Sequence, residues 1–196
     1  MKRKIKQLLY LLLFIKYLPH IVIYLMNTDA IMGELNAFNQ YFLKSSSFQI
    51  VNLIHHLEKL HEFRNLFYFR YPYSKFLNAI YPGVSHLDFF TESKNIEPGI
   101  MIWHGFTSVI NAVHIGKNFQ LWQNVTIGKK TTNPIDDKPW IGDNVKICAG
   151  AIVIGPIRIG NNVTIGAGAV VVKDIPDNSI VVGNPAKIIH PEYDGN

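Results

Sequence analysis

Aliphatic residues fall at strict six-residue steps through the second half of the chain, at Ile141, Ile147, Val153, Ile159, Ile165 and Val171. Four places after each stand Val145, Ala151, Ile157, Val163, Ala169 and Ile175, all small or apolar. Ile115, Leu121 and Ile127 carry the ladder upstream, with Phe119 and Val125 in the slots four residues on. Ile96 and Ile102 take it further, and Val109 joins after a slip of one residue. A period of six is neither the helical period nor that of one long strand. It predicts short strands stacked in a solenoid, one buried face per turn. Gly116, Gly128, Gly142, Gly160 and Gly166 directly follow the aliphatic residue, and Asn118, Asn144 and Asn162 come two places later. Both residue types tolerate tight corners between very short strands. The period does not give the solenoid's hand. The phase breaks once, over residues 131–140, where the repeat takes up two extra residues and a projecting loop is expected.

The first half carries another pattern. Residues 26–81 read as helical, with Ser47 placed to cap a helix running to about Arg70. Phe48, Val51, Ile54, Leu57 and Leu60 recur at spacings of three, predicting one buried face. His55, His56 and His61 lie on this stretch. Adjacent helical positions cannot face one point, so these histidines read as surface or cap residues rather than metal ligands. Tyr71-Pro72 and Tyr81-Pro82-Gly83 close the region. The expected organisation is a helical region over 1–83, a solenoid over 84–190 and a tail over 191–196.

Charge sharpens the picture at one end. Of the 19 basic residues, Lys2, Arg3, Lys4, Lys6 and Lys16 precede Asp29, the first acidic residue. The remaining basic residues balance the 14 acidic ones, so the whole net charge of +5 sits in this segment. A nucleic-acid binder carries its basic face through the folded part, so no nucleic-acid partner is expected. The apolar run Leu8–Ile15 is too short to span a bilayer, and Lys16 and Pro19 interrupt its continuation. Two readings of residues 1–25 stay open. The segment is either a helix packed on its own protein or a neighbouring copy, or an interfacial helix with basic residues at lipid head groups. The single cysteine, Cys148, permits no internal disulfide and leans toward a cytoplasmic setting, at the inner face of the membrane under the second reading.

Three segments add chemistry to the repeat. They are Gly99-Ile100-Met101-Ile102-Trp103-His104-Gly105-Phe106-Thr107, then 121–128 (Leu-Trp-Gln-Asn-Val-Thr-Ile-Gly), and the ending 165–176 with Val182-Gly183-Asn184-Pro185-Ala186-Lys187. Over roughly half the chain, from about 96 to 190, the sequence resembles the hexapeptide-repeat acyltransferases. The likeness is to the serine acetyltransferase-like group that includes capsule and exopolysaccharide O-acetyltransferases. The resemblance implies a mainly β fold, a left-handed parallel β-helix with an N-terminal α-helical region, assembled as a homotrimer. It implies acetyl-CoA as co-substrate, no permanently bound cofactor, and His104 as the base that takes the acceptor's hydroxyl proton. Such enzymes pair this histidine with an upstream aspartate. Strict spacing lands on Phe89, and Asp88 fits if one residue is inserted. By position, Ala149, Ala167, Gly168, Lys173 and Lys187 match residues along which the coenzyme lies.

The sequence departs from the serine enzymes at Trp103, where they carry aspartate, and at Lys138, where they carry a second histidine. With Trp103 and Phe106 suited to stacking on a sugar face, the expected acceptor is a sugar hydroxyl in surface polysaccharide biosynthesis. Serine O-acetylation, in cysteine biosynthesis, is the alternative. A zinc enzyme would need three converging histidines, and the solenoid offers His104 and His114 before His190, so no metal is expected. A trimeric binding module without activity is the remaining rival. Cys148 occupies the small-residue slot that glycine fills in neighbouring hexads, and so reads as filler rather than nucleophile.

Overall fold

The computed structural model describes residues 2–42, 48–131 and 137–189, with side chains from Leu8 onward. Ser47, most of the projecting loop, His190 and the tail at 191–196 lie outside the described residues. The chain divides into two compact units, residues 1–83 and 84–196.

The first unit is helical: α1 (Lys2–Lys16), α2 (Leu18–Met26), α3 (Asp29–Phe42), α4 (Gln49–Lys59) and α5 (His61–Arg70), then a 3-10 segment over Pro72–Ala79. Pro19 sits in the first turn of α2, where its missing N–H costs nothing. The continuous helix expected up to Arg70 is broken at Leu60, which is extended (φ −120°, ψ 107°) and serves as C-cap of α4 and N-cap of α5. The expected apolar face of α4 is also rotated. Leu53, Ile54 and Leu57 are buried, whereas Phe48 is 73% exposed and Val51 40%. Steps of three residues fall about 60° short of a helical turn each time, so four of them sweep around the cylinder instead of holding one face. The rotation carries His56 into the core, fully buried, against the expectation of a surface residue; His55 and His61 are exposed. Arg70 and the fully buried Glu34 form an ion pair across α3 and α5 at 2.5 Å.

The second unit is built from short strands: β1 (Leu87–Phe89), β2 (Met101–Ile102), β3 (Ser108–Ile110), β4 (His114–Ile115), β5 (Gln120–Leu121), β6 (Thr126–Gly128), β7 (Trp140–Ile141), β8 (Lys146–Ile147), β9 (Ile152–Ile154), β10 (Arg158–Ile159), β11 (Thr164–Ile165), β12 (Val170–Val171), β13 (Ile180–Val182) and β14 (Lys187–Ile189). They stack in three sheets, β1-β3-β6-β9-β12, β4-β7-β10 and β2-β5-β8-β11-β13-β14, all parallel except the last pair. From β2 to β12 each strand pairs with the third one along, so three hexads close one coil. Asp143 and Asn161, stacked in successive coils, are 18 residues apart. Leu121, Ile127, Ile141, Ile147, Val153, Ile159, Ile165 and Val171 point inward with no exposed surface. The corner asparagines form a ladder, Asn118 to Asn144 to Asn162 to Asn178, each amide donating to the next at 2.9–3.0 Å. Asn118, Asn144, Asn162 and Asn178 all lie at φ 56–60°, the left-handed conformation a tight corner requires.

Three register details differ from the sequence reading. Ile110, 1% exposed and paired with Ile127, fills the inward slot assigned to Val109, so the slip at the His104 corner is two residues. Ile175 bridges Ile159 as an inward strand position, because the last coil is shortened to 16 residues. The coil through the loop takes 26 residues where a regular one takes 18, an insertion of eight rather than two. A six-residue period is blind to whole hexads, so it registered only the remainder. The fold is also not mainly β: helix is 37% and strand 21% of the chain. The difference follows from the lengths of the elements, ten to fifteen residues for most helices against two or three per strand.

Candidate functional site

The corner between β2 and β3 is the most distorted in the solenoid. His104 and Thr107 both adopt positive φ, 55° and 54°. The Phe106 N–H donates to the His104 carbonyl at 2.6 Å, folding the turn on itself. Gly105 is required there: a Cβ on it would lie 2.3 Å from Ile102 Cγ2 and 3.3 Å from Leu87 Cδ2. The glycine lets the turn press onto the core while the flanking side chains point away. His104 is accordingly exposed, and Phe106 is 44% exposed. Ser108, fully buried, fixes the next coil to this turn by accepting the Val125 N–H at 3.2 Å.

Trp103 is held on the solenoid. Its ring stacks on Trp122 with centroids 5.9 Å apart at 19°, and its Nε1–H donates to Gln120 Oε1 at 3.3 Å. Backbone bonds from Trp103, Trp122 and Cys148 to Leu121, Ile147 and Ile165 stack these three residues in one column. One residue on, His104, Gln123, Ala149 and Ala167 therefore follow one another down the same edge. Gly150 and Gly168, at φ 71° and 68°, donate to Gln123 and Ala149 and keep that edge narrow. Nothing stands within 4 Å of a Cβ placed on Gly168. Below Gln123 the edge is thus small side chains and open backbone. At its foot the Gly183–Ala186 turn is fastened to Val170, whose N–H donates to Gly183 O while its carbonyl accepts from the Ala186 N–H, each at 3.1 Å.

Ala149, Ala167 and Gly168 thus share the edge with His104, and exposed Lys187 follows the turn at its foot. Lys173 lies across the sheet, beyond Val171 on the opposite edge. Asp88, exposed on β1 and in register with Val109, makes no hydrogen bond to His104 among the described residues. Gln123 was not singled out from the sequence. It stands directly below His104, and its buried Oε1 has no partner among the described residues. The available signal was its place two residues after Leu121, the slot that Ala149 and Ala167 hold in their hexads. Cys148 is half-buried, and burial pushes its thiol up from its ordinary value, away from the reactive thiolate. No group of three metal-ligating side chains converges among the described residues.

On the opposite edge, where the first sheet turns toward β4 and β7, a polar hollow of about 210 Å³ is lined by Phe90, Thr91, Glu92, Asn95, Val113 and Lys138, among others. Thr91 anchors it, accepting the Ala112 N–H at 2.7 Å. The loop next to it is clamped at its base by Asp137, which accepts from Thr131 N–H at 2.6 Å and Thr131 Oγ1–H at 2.8 Å. These bonds, the hydroxyl's first, hold the Asp137 carboxyl below its usual range.

The profile of the bacterial transferase hexapeptide (six repeats) matches residues 138–173. A serine acetyltransferase of Synechocystis is 44% identical over 115 residues, covering 55% of this chain and 46% of its own length. That of Staphylococcus aureus (strain Mu50) is 40% identical over 114 residues, covering 55% and 54%. Among solved structures, the serine acetyltransferase of Neisseria gonorrhoeae superposes with a TM-score of 0.63 at 26% identity, over 83% of this chain and 65% of that one. Its complex with serine gives 0.56 at 28% identity, over 83% and 68%. The chain spans about half the length of the curated relatives it matches, or less. These findings overturn the sugar-hydroxyl reading, since relatives and structural neighbours alike are serine acetyltransferases. Trp103, on which that reading leaned, is already occupied by Trp122 and Gln120. Residues 138–173 of the solenoid match the bacterial transferase hexapeptide model, and the chain resembles the hexapeptide-repeat acyltransferases of the serine acetyltransferase group.

Proposed function

We propose that the protein is an acetyl-CoA-dependent O-acetyltransferase whose acceptor is the hydroxyl of serine. The observation that carries this is the turn that projects His104 into the open above an edge of small residues. The narrow edge suits an extended pantetheine arm laid along Ala149, Ala167 and Gly168, with the Lys187 cation near the coenzyme's phosphates. His104 takes the acceptor's hydroxyl proton as the oxygen attacks the thioester carbon. The tetrahedral adduct collapses by breaking the C–S bond, and the imidazolium returns the proton to the departing thiolate. No acyl-enzyme is formed. The names of the relatives support serine as acceptor, and so does the polar hollow: Lys138 offers a cation to a carboxylate and Glu92 an anion to an ammonium group.

The hollow and His104 occupy opposite edges of one sheet, so a single copy does not bring them together. A left-handed solenoid in a threefold assembly, as inferred from the resemblance, would set the hollow of one copy against the His104 edge of the next. Asp88 is the candidate partner that orients His104 in that assembly, and Lys173 a second coenzyme contact.

Purified protein given acetyl-CoA and serine is expected to release free thiol and O-acetylserine in equal amounts, saturating in the millimolar range or below. Thiol release that requires another hydroxyl compound, with none on serine, would overturn the acceptor. Lys138→Met is expected to raise the KM for serine ~10-fold, the worth of one charged hydrogen bond, and to leave the KM for acetyl-CoA unchanged. Parallel rises in both constants would remove the hollow from acceptor binding.

A further inference from the structure

We infer that α1 and the outer stripe of α2 form a bent apolar wedge that embeds in one leaflet of an anionic lipid bilayer. From Leu8 to Ile15 the side chains of α1 leave no polar face. Leu8, Leu9, Tyr10, Leu11, Leu12, Phe14 and Ile15 are each 42–60% exposed, and at 100° per residue they point to every side of the helix. A helix apolar all round is one that is buried on all sides, in a large core or in hydrocarbon. Here the unit does not bury it: a mostly apolar cavity of about 320 Å³ opens between α1 and α4, with Leu13, Phe14, Val51 and Ile54 in its wall and Asn52, His55, Glu58 and Lys59 also lining it. The helix α2 behaves differently. Tyr17, His20, Ile21 and Tyr24 pack into the unit, while Leu18, Val22, Leu25 and Met26 form an outward stripe, 47–72% exposed.

The charges set the orientation. Lys2, Arg3, Lys4 and Lys6 precede the apolar stretch and Lys16 ends it, with no acidic residue before Asp29. Lys16 is held to Glu58 at 2.7 Å and lies 5.0 Å from the Tyr17 ring centroid, tying the far end of α1 to the unit's polar surface. Charged groups at both ends keep both ends at head-group depth, so the stretch between them lies in the plane of the leaflet. No single described helix is long and apolar enough to cross, and the two helices meet at a bend of 63°.

A second copy of the chain is the competing occupant. A helix–helix seam covers a stripe and leaves the rest of each helix polar, whereas α1 is apolar on every side from Leu8 to Ile15. Two copies paired in parallel would also bring their basic ends together, while acidic lipid attracts them.

The test is co-sedimentation of the full chain with phosphatidylcholine vesicles, with and without phosphatidylglycerol. The intact protein should pellet with the anionic vesicles at least about tenfold more than with neutral ones, and less at high salt. Leu9→Asp with Leu12→Asp, both exposed and so tolerated by the fold, should abolish pelleting with an unchanged far-ultraviolet spectrum. Failure of the intact chain to pellet, or equal pelleting of the variant, overturns the proposal. If the intact chain does not pellet and the variant sediments as a smaller species in ultracentrifugation, the surface belongs to a second copy. None of these outcomes depends on the acetyl acceptor.

Discussion

His104→Ala is expected to lower kcat by ~10²–10⁴-fold, the usual contribution of a positioned general base. The imidazole acts on the acceptor's proton, and the coenzyme edge begins one coil below it at Gln123 and runs to Ala149 and Ala167. Coenzyme A affinity should therefore stay near its starting value. The split between turnover and coenzyme binding separates a chemical role from a structural one. A structural histidine at φ 55° would, on replacement, disturb the turn that fixes Gly105 against Ile102 and Leu87, and both quantities would fall together. His104→Asn distinguishes the two further, because asparagine tolerates positive φ and keeps the turn but offers no base. Stopped or continuous thiol assays on both variants, with calorimetric titration of coenzyme A, give the measurement. Near-normal turnover in either variant would remove His104 from the mechanism.

What the sequence disclosed, and what it hid, follows from the range of the forces involved. The solenoid was legible because each hexad repeats one local decision: an aliphatic residue inward, a left-handed residue at the corner. Asn118, Asn144 and Asn162 read as corners and are corners. The size of the inserted loop was not legible, since six of its eight extra residues leave the phase untouched. His104 was marked by the resemblance of its segment to the acyltransferases, but its edge companions Gln123 and Ala149 become neighbours only when coils stack. The same is true of Trp103 and Trp122, and a tryptophan read without its stacking partner looked free for a sugar. In the helical unit the errors are of another kind. A spacing of three drifts around a helix, so it could not say that Val51 faces out and His56 in. The break at Leu60 carries no glycine or proline, and tertiary packing alone decides it.

The helical unit is expected to lose stability as pH falls from about 6.5 toward 4, and two buried histidines are the reason. His20 and His56 are fully buried, and burial first of all lowers both to about 4, with Arg64 adding to the effect on His20 and His55 on His56. The hydrogen bonds say why the neutral form is held. Tyr68 Oη–H donates to Tyr81 O at 2.8 Å, so His20 Nε2–H donates to Tyr68 Oη at 3.1 Å and the bare nitrogen is Nδ1. His56 Nε2–H donates in the same way to Asn39 Oδ1 at 2.8 Å. Both Nδ1 atoms are buried with no partner among the described residues, so a second proton would sit on a donor with nothing to receive it. A folded-state pKa below the unfolded value means the unfolded chain takes up the proton first. The contribution is intact above pH 6.5, falls by roughly 1.4 kcal/mol per pH unit and per histidine below it, and levels out near pH 4. By pH 5 the two together cost about 4 kcal/mol, a large share of an ordinary domain's stability. All three tryptophans lie in the solenoid, at 103, 122 and 140. Circular dichroism at 222 nm therefore follows mainly the helical unit and tryptophan fluorescence the solenoid. In urea titrations at pH 7 and pH 5, the helical midpoint should move to lower denaturant well beyond any movement of the fluorescence midpoint. A helical midpoint that is the same at both pH values would mean that His20 and His56 are charged, or equally exposed, in the folded chain.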